Sequence, residues 1–128
     1  VPPALLALAN FTDAEKYDLS SLTMIMSGAA PLPLEVARAS ARRLNTTVLQ
    51  GYGLTETSPV TNVNPITRIK DATVGPPIAD TVQKVVSLED GRELGVGEVG
   101  ELLTFGPQVM KGYWDNPEET ADTLPGGG

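Results

Sequence analysis

The chain has 128 residues, of which 41% are hydrophobic and 20% are charged, a composition that predicts one small folded domain rather than a disordered segment. The formal net charge is −7 and the sequence shows no cluster of Lys and Arg, which argues against binding to nucleic acid or an anionic membrane. Because the chain contains no Cys and no His, it cannot carry a disulfide framework or a complete Ser-His-Asp or Cys-His mechanism. The lack of Cys fits a reducing compartment, so we expect a cytoplasmic protein, and no apolar run reaches membrane-spanning length.

The first half of the chain predicts a βαβ unit with two parallel strands. Residues 4–9 follow two prolines and predict a short helix, since proline suits the first turn. Residues 22–26 (LTMIM) predict a strand buried on both faces, and residues 46–49 (TTVL) predict a second strand. Between them, residues 35–44 show helical periodicity, and Asn45 can end that helix in a left-handed conformation.

The second half predicts an antiparallel sheet. Residues 82–87 and 98–104 read as strands separated by Gly-containing turns, and residues 118–123 predict a helical turn. We therefore expect a partial parallel α/β subdomain over residues 1–78 and a partial antiparallel β subdomain over residues 79–128.

Two segments of small residues follow the predicted parallel strands. Gly28, Ala29 and Ala30 come after the first strand, and residues 50–56 (QGYGLTE) come after the second. Ligands of parallel α/β sheets bind outside the carboxyl ends of the strands, so both segments should lie on one rim where a ligand can approach the backbone.

The QGYGLTE segment carries groups suited to a nucleotide. Tyr52 lies between Gly51 and Gly53 and offers an aromatic face on which a purine can stack. Thr55 supplies a hydroxyl for a phosphate oxygen, and Glu56 supplies a carboxylate of the kind that binds Mg²⁺ beside phosphates. Such a cation would offset the repulsion between an acidic chain and ATP. From these residues alone an ordinary glycine turn, followed by Thr-Glu at the start of a helix, remains an alternative.

Three longer strings extend this interpretation: SGAAPLP at residues 27–33, QGYGLTETSPV at 50–60 and GEVGELLTFGPQVMKGYWDNPEET at 97–120. In order and spacing they resemble the adenylate-forming acyl-CoA synthetases, most closely the 4-coumarate–CoA ligase-like and fatty acyl-CoA ligases. The resemblance implies part of that family's α/β N-terminal domain. It also implies a two-step reaction, in which ATP and an aryl or fatty acid form an acyl-adenylate and CoA then displaces AMP.

The resemblance also implies roles for particular residues. Thr55 would contact the α-phosphate and Glu56 would bind Mg²⁺, which makes these two the implied catalytic residues. The nucleotide would lie against Gly28, Ala29, Ala30, Gln50, Gly51, Tyr52 and Thr55. The acyl pocket would be bordered by Ala29, Gly53, Pro59, Val60 and Val63. Catalysis would be electrostatic, with donors and the metal stabilising charge at the α-phosphoryl group.

Several expectations concern what surrounds these residues. Tyr113 and Trp114 of the third string are expected to pack in a core rather than to touch a ligand. The family's phosphate loop, its ribose-binding Asp segment and its C-terminal domain with a catalytic Lys do not occur in the sequence, so we expect an internal piece of a ligase. The last three glycines, at residues 126–128, read as a turn before a further element. An acyl-AMP ligase, a carrier-loading adenylation domain and a non-catalytic nucleotide-binding fragment are the alternatives.

Overall fold

The computed structural model describes residues 1–125, so the predicted turn at residues 126–128 lies outside the described part. The described chain forms two compact units. Unit 1 combines Val1–Gly53 with Asn62–Pro76, and unit 2 combines Leu54–Thr61 with the chain from Pro77 onward.

Two helices pack together in unit 1. Helix α1 spans Pro2–Asn10, and helix α2 spans Leu34–Leu44 and ends at Asn45, whose φ of 48° is left-handed as predicted. Leu5 of α1 is buried, and its carbonyl oxygen accepts a hydrogen bond of 3.2 Å from the buried Ser40 hydroxyl of α2. The polar serine can lie in this small core because the α1 carbonyl satisfies its hydroxyl.

The structure also contains a three-stranded sheet. Strand β1 covers Met24–Ser27, β2 covers Thr47–Gly53 and β3 covers Val60–Val63, in the order β1-β2-β3. Strands β1 and β2 are parallel, with Met24 opposite Thr47 and Ser27 opposite Gln50. The predicted parallel βαβ unit is therefore confirmed, and it brings the ends of both strands to the same edge.

Three details of this sheet differ from the sequence-based expectation. Strand β1 is not buried on both faces, because Met24 and Met26 are 40% and 47% exposed. Strand β2 continues through Gly53, so the predicted nucleotide loop is mostly strand. The third strand, β3, was not predicted. Asn64, the residue after β3, donates its backbone N–H to the Gln50 carbonyl at 3.3 Å. Because this bond gives the backbone of β2 a partner, the strand continues beyond its apolar residues.

Unit 2 contains the antiparallel pair that the sequence predicts. Strand β4, Val82–Val86, pairs with β5, Glu101–Phe105, with Val82 opposite Phe105 and Val86 opposite Glu101. Gly100 precedes β5, and a Cβ there would lie 2.2 Å from the Val86 carbonyl oxygen, so the close approach requires glycine. Helix α3, Pro117–Thr123, completes the described elements of unit 2 and begins beside Asn116, whose side chain accepts the Glu119 N–H at 3.3 Å.

Two short 3-10 turns complete the secondary structure, one at Ala14–Lys16 in unit 1 and one at Thr55–Thr57 in unit 2. Among residues 1–125, no helix has both the length and the apolar character needed to cross a membrane.

Candidate nucleotide and acyl site

The loop after β1 is attached to β2 through the Gln50 side chain. Gln50 Oε1 accepts the backbone N–H of Leu32 at 3.0 Å. In the same loop, between the end of β1 and Leu32, Ala29 has a φ of 70°, a left-handed conformation that costs an alanine about 1–3 kcal/mol. Ala29 and Ala30 are exposed, whereas Gly28 is half-buried. The Gln50 amide thus holds a small-residue loop whose backbone is open to solvent.

The two glycines predicted to lie against the nucleotide have different surroundings. A Cβ on Gly28 would lie 3.6 Å from the Gly51 carbonyl oxygen, an ordinary contact, so the two predicted segments do meet at this edge. A Cβ on Gly51 would lie 3.1 Å from the Asn62 carbonyl oxygen and 3.2 Å from Val63 Cγ2. A side chain at position 51 would therefore crowd neighbouring backbone, which is a structural reason for glycine independent of any ligand.

The aromatic side chain of the segment lies on the extended part of β2. Tyr52 is 37% exposed. Because side chains alternate along a strand, Tyr52 points away from the face that Gly51 and Gly53 occupy. The ring is thus placed by a paired strand rather than by a free loop, which gives a stacking surface a fixed orientation.

A polar residue that the sequence analysis missed supports the same strand. Asn64 is buried, and its side chain donates to the Thr73 carbonyl at 2.6 Å and accepts the Lys70 N–H at 3.1 Å. Its own N–H bonds to Gln50, as described above. The only sequence signal is an Asn-Pro pair just after an apolar stretch, which marks a turn without revealing what it holds. A cavity of about 40 Å³ next to Gln50 and Asn64 has room for little more than one water molecule.

The Thr-Glu pair lies in unit 2, in the 3-10 turn Thr55–Thr57. Thr57 is buried and holds this turn, since its Oγ1 accepts the Leu54 N–H at 3.0 Å and lies 2.8 Å from the Pro59 carbonyl oxygen. Thr55 is exposed, which leaves its side chain at the surface, while Glu56 is half-buried. A helical turn therefore begins at the Thr-Glu pair, as in the alternative interpretation of an ordinary glycine turn followed by a helix. The hydroxyl that bonds to the backbone of this turn, however, belongs to Thr57 and not to Thr55.

Glu56 is held at two atoms by the third sequence string. The Tyr113 hydroxyl donates to Glu56 Oε1 at 2.7 Å, and the Met110 N–H donates to the Glu56 carbonyl oxygen at 2.7 Å. Donation from the Tyr113 hydroxyl, and then from the backbone N–H of Glu56 itself, holds the pKa of the carboxyl below its usual value. The same hydrogen bond raises the pKa of Tyr113, because ionising the phenol would remove the donor. The carboxylate is therefore anionic and oriented at neutral pH.

The expectation that Tyr113 and Trp114 pack in a core was wrong for Trp114, whereas Tyr113 is half-buried. The Tyr113 hydroxyl contacts Glu56, and Trp114 is 98% exposed. The physical reason is that the Glu56 carboxylate needs a donor and Tyr113 supplies one, while the turn that aims Tyr113 leaves Trp114 at the surface. An open cavity of about 500 Å³ is lined by residues of the segment Lys111–Thr120 and by none of the predicted site residues.

The predicted acyl-pocket residues fall in both units. In unit 2, Pro59 follows a cis peptide bond and is exposed, and Val60 is half-buried. In unit 1, Gly53 and Val63 are half-buried, and the Val63 N–H donates to the Pro76 carbonyl at 3.2 Å. Within the part of the chain that the structure describes, no group of three or more His, Cys, Asp or Glu side chains could hold a metal ion alone.

Comparison with known proteins assigns the family. Residues 1–114 match the model of the family described as "AMP-binding enzyme". The chain is 42% identical to 4-coumarate-CoA ligase 2 of Narcissus pseudonarcissus over 97% of its own length and 23% of the relative's. It is 40% identical to the long-chain-fatty-acid–CoA ligase of Bacillus subtilis over 96% of its own length and 22% of the relative's.

Solved structures of similar fold agree with this family assignment. The fold superposes with a TM-score of 0.86 on a long-chain-fatty-acid-CoA ligase from Archaeoglobus fulgidus, at 39% identity, covering 94% of this chain and 26% of that one. The chain thus spans about a quarter of the length of the proteins it matches. With nearly its whole length matched in both sequence and fold, the chain belongs to the AMP-binding enzyme family.

Proposed function

We propose that the chain is part of an acid–thiol ligase that activates a carboxylic acid with ATP and transfers the acyl group to CoA. The observation that carries the proposal is the Glu56 carboxylate, which the Tyr113 hydroxyl orients. Glu56 follows strand β2 in the chain, and Tyr52 lies near the end of that strand. The names of the similar proteins, a 4-coumarate-CoA ligase and two long-chain-fatty-acid-CoA ligases, support the reaction class.

In this proposal, unit 1 residues bind the nucleoside. Tyr52 stacks on adenine, and Gln50 and Gly51 contribute the strand edge beside it. Gln50 also holds the loop of Gly28, Ala29 and Ala30, which forms the junction between nucleotide and acyl group. Because β2 and its neighbours fix these groups before ligand arrives, little ordering is needed on binding.

Thr55 and Glu56 act on the phosphates. The exposed Thr55 hydroxyl donates to an α-phosphate oxygen as negative charge develops there. Glu56 would hold Mg²⁺, and the residues fit that ion, since Mg²⁺ is commonly bound by one or two carboxylates together with substrate phosphates and waters. A single anionic, oriented carboxylate matches this mode. When bound, Mg²⁺ offsets the negative charge of the triphosphate.

The acid would be an aryl or fatty acid. The proposed pocket border combines apolar and small residues: Ala29, Gly53, Pro59, Val60 and Val63. Such a border suits an uncharged aryl or alkyl group, and the named relatives act on acids of both types. The absence of Cys from the sequence favours the cytoplasm as the compartment.

The test is acid-dependent exchange of pyrophosphate into ATP by the complete protein, with aryl and fatty acids as separate panels, followed by thioester formation with CoA. We expect exchange and thioester with at least one panel, and loss of exchange in Glu56→Gln, which removes the charge but keeps the size. Exchange without thioester would instead indicate an acyl-AMP ligase or a carrier-loading domain. A folded complete protein with no exchange and no ATP binding would favour the non-catalytic alternative.

A further inference from the structure

The third sequence string has no ligand role in the proposed function, yet its residues are bonded to the proposed metal ligand. Tyr113 lies 57 positions beyond Glu56 in the chain and donates its hydroxyl to that carboxylate. Met110 donates its N–H to the Glu56 backbone carbonyl. Both the main chain and the side chain of Glu56 are therefore fixed by residues 110–113.

Tyr113 is itself fixed by the start of helix α3. Its backbone N–H donates to Thr120 Oγ1 at 2.9 Å, and the Thr120 hydroxyl donates to the Asn116 carbonyl at 2.8 Å. Gly112 has a φ of 146°, and a Cβ there would lie 2.6 Å from Thr120 Cγ2, so the turn fits closely against Thr120. One continuous set of hydrogen bonds thus runs from α3 through Tyr113 to the Glu56 carboxylate.

We propose that Tyr113 is a positioning residue that fixes the Glu56 carboxylate for a nucleotide-bound divalent cation, and that Thr120 fixes Tyr113. This inference rests on the proposed function, since it takes Glu56 as the metal ligand. Groups that orient a metal ligand typically change metal affinity or activity by about 10–100-fold when they are removed. The Tyr113 hydroxyl, which donates to Glu56 Oε1 at 2.7 Å, has the geometry of such a group.

The first experiment measures Mn²⁺–ATP binding to the complete protein without acid, by water-proton relaxation, and the Mg²⁺ concentration that gives half-maximal exchange. We expect Tyr113→Phe to weaken binding and raise that concentration by about ten-fold or more. The matched control is Tyr17→Phe, the same change at an exposed tyrosine elsewhere, which should alter neither value. Thermal unfolding of both variants without metal shows whether they are folded.

The second experiment tests whether Tyr113 acts through Glu56. In a Glu56→Gln background, Tyr113→Phe should have no further effect on Mn²⁺–ATP binding, because the group that it orients has lost its charge. Equal effects of Tyr113→Phe in both backgrounds would overturn the inference. So would wild-type affinity in Tyr113→Phe beside weakened affinity in Glu56→Gln.

The third experiment tests the Thr120 contact and remains informative if Tyr113→Phe does not fold. Thr120→Val keeps the shape but removes the acceptor of the Tyr113 N–H, whereas Thr120→Ser keeps it. We expect weaker Mn²⁺–ATP binding in Thr120→Val and near wild-type binding in Thr120→Ser; identical behaviour of the two would contradict the proposed role of Thr120.

The failures are distinguishable. Wild-type metal binding in Glu56→Gln would overturn this inference while leaving pyrophosphate exchange, and so the proposed function, intact. Absence of exchange with the coupling between Tyr113 and Glu56 still present would overturn the proposed reaction but support the positioning role.

Discussion

Gln50 and Glu56, six positions apart, show how single side chains prepare this site. The side-chain oxygen of Gln50 accepts the backbone N–H of Leu32 in the neighbouring loop, and the Glu56 carboxylate accepts the hydroxyl of Tyr113. Neither contact is a ligand contact. Each contact fixes a group before a ligand binds. A group that is free to move would have to be immobilised on binding, which costs about 0.5–1.5 kcal/mol for each side chain.

The Glu56 contact makes the local stability depend on pH. The pKa of Glu56 is lower in the folded protein than in the unfolded chain. The hydrogen bond therefore contributes stability above the ordinary glutamate pKa, and this contribution is lost as the pH falls through the lowered folded-state pKa. We expect carbon-13 NMR of the metal-free protein to show a Glu56 pKa below the ordinary glutamate value, and that pKa to rise toward the ordinary value in Tyr113→Phe.

A titration of Glu56 that is unchanged in Tyr113→Phe would contradict this account of the shift. The second cause, the backbone N–H of Glu56 itself, stays in the variant, so a partial rather than complete return is expected.

Strand β2 is the element on which the candidate site depends. The β-branched and apolar run that predicts the strand stops at Leu49, and the next four residues contain two glycines, which weaken a strand in isolation. The strand nevertheless continues to Gly53 because its backbone groups find partners, among them the Asn64 N–H on the Gln50 carbonyl. Glycine at position 51 leaves room for the Asn62 carbonyl oxygen and Val63 Cγ2, which would lie 3.1 and 3.2 Å from a Cβ there.

Gly51 and Gly28 form a matched pair for testing this packing. Gly51→Ala places a methyl group about 3.1 Å from the Asn62 carbonyl oxygen, and we expect it to lower the free energy of unfolding by about 1–3 kcal/mol. Gly28→Ala places its methyl group at an ordinary 3.6 Å contact and should be within about 0.5 kcal/mol of the wild type. Urea unfolding measures the stability of both variants. Equal midpoints would show that packing around position 51 does not favour glycine.

Among residues 1–125, more large apolar side chains are exposed than are buried. Leu88, Val96, Val99 and Trp114, all in unit 2, are between 81% and 110% exposed relative to a reference residue. Exposed apolar patches beyond a few hundred Å² mark contact surfaces or association hazards, and unpaired strand edges add to the hazard.

We expect the isolated 128-residue chain to self-associate at concentrations of about 100 µM. Sedimentation velocity over a dilution series would show the sedimentation coefficient rising with concentration. Added salt should strengthen association, because it screens the repulsion between chains of net charge −7. A single monomeric boundary at every concentration and salt level would rule the expectation out.

The sequence by itself determined the local elements and the family: helix α2 with its left-handed Asn45, the parallel β1–β2 pair, the antiparallel β4–β5 pair and the ordered motifs. These follow from periodicity, capping and short strings, which act between residues near one another in the chain. Only the tertiary structure decided that QGYG is strand, that Asn64 supports it, and that Tyr113 holds Glu56 across 57 positions. Those contacts satisfy backbone and carboxylate groups with partners distant in sequence, so no local pattern could have revealed them.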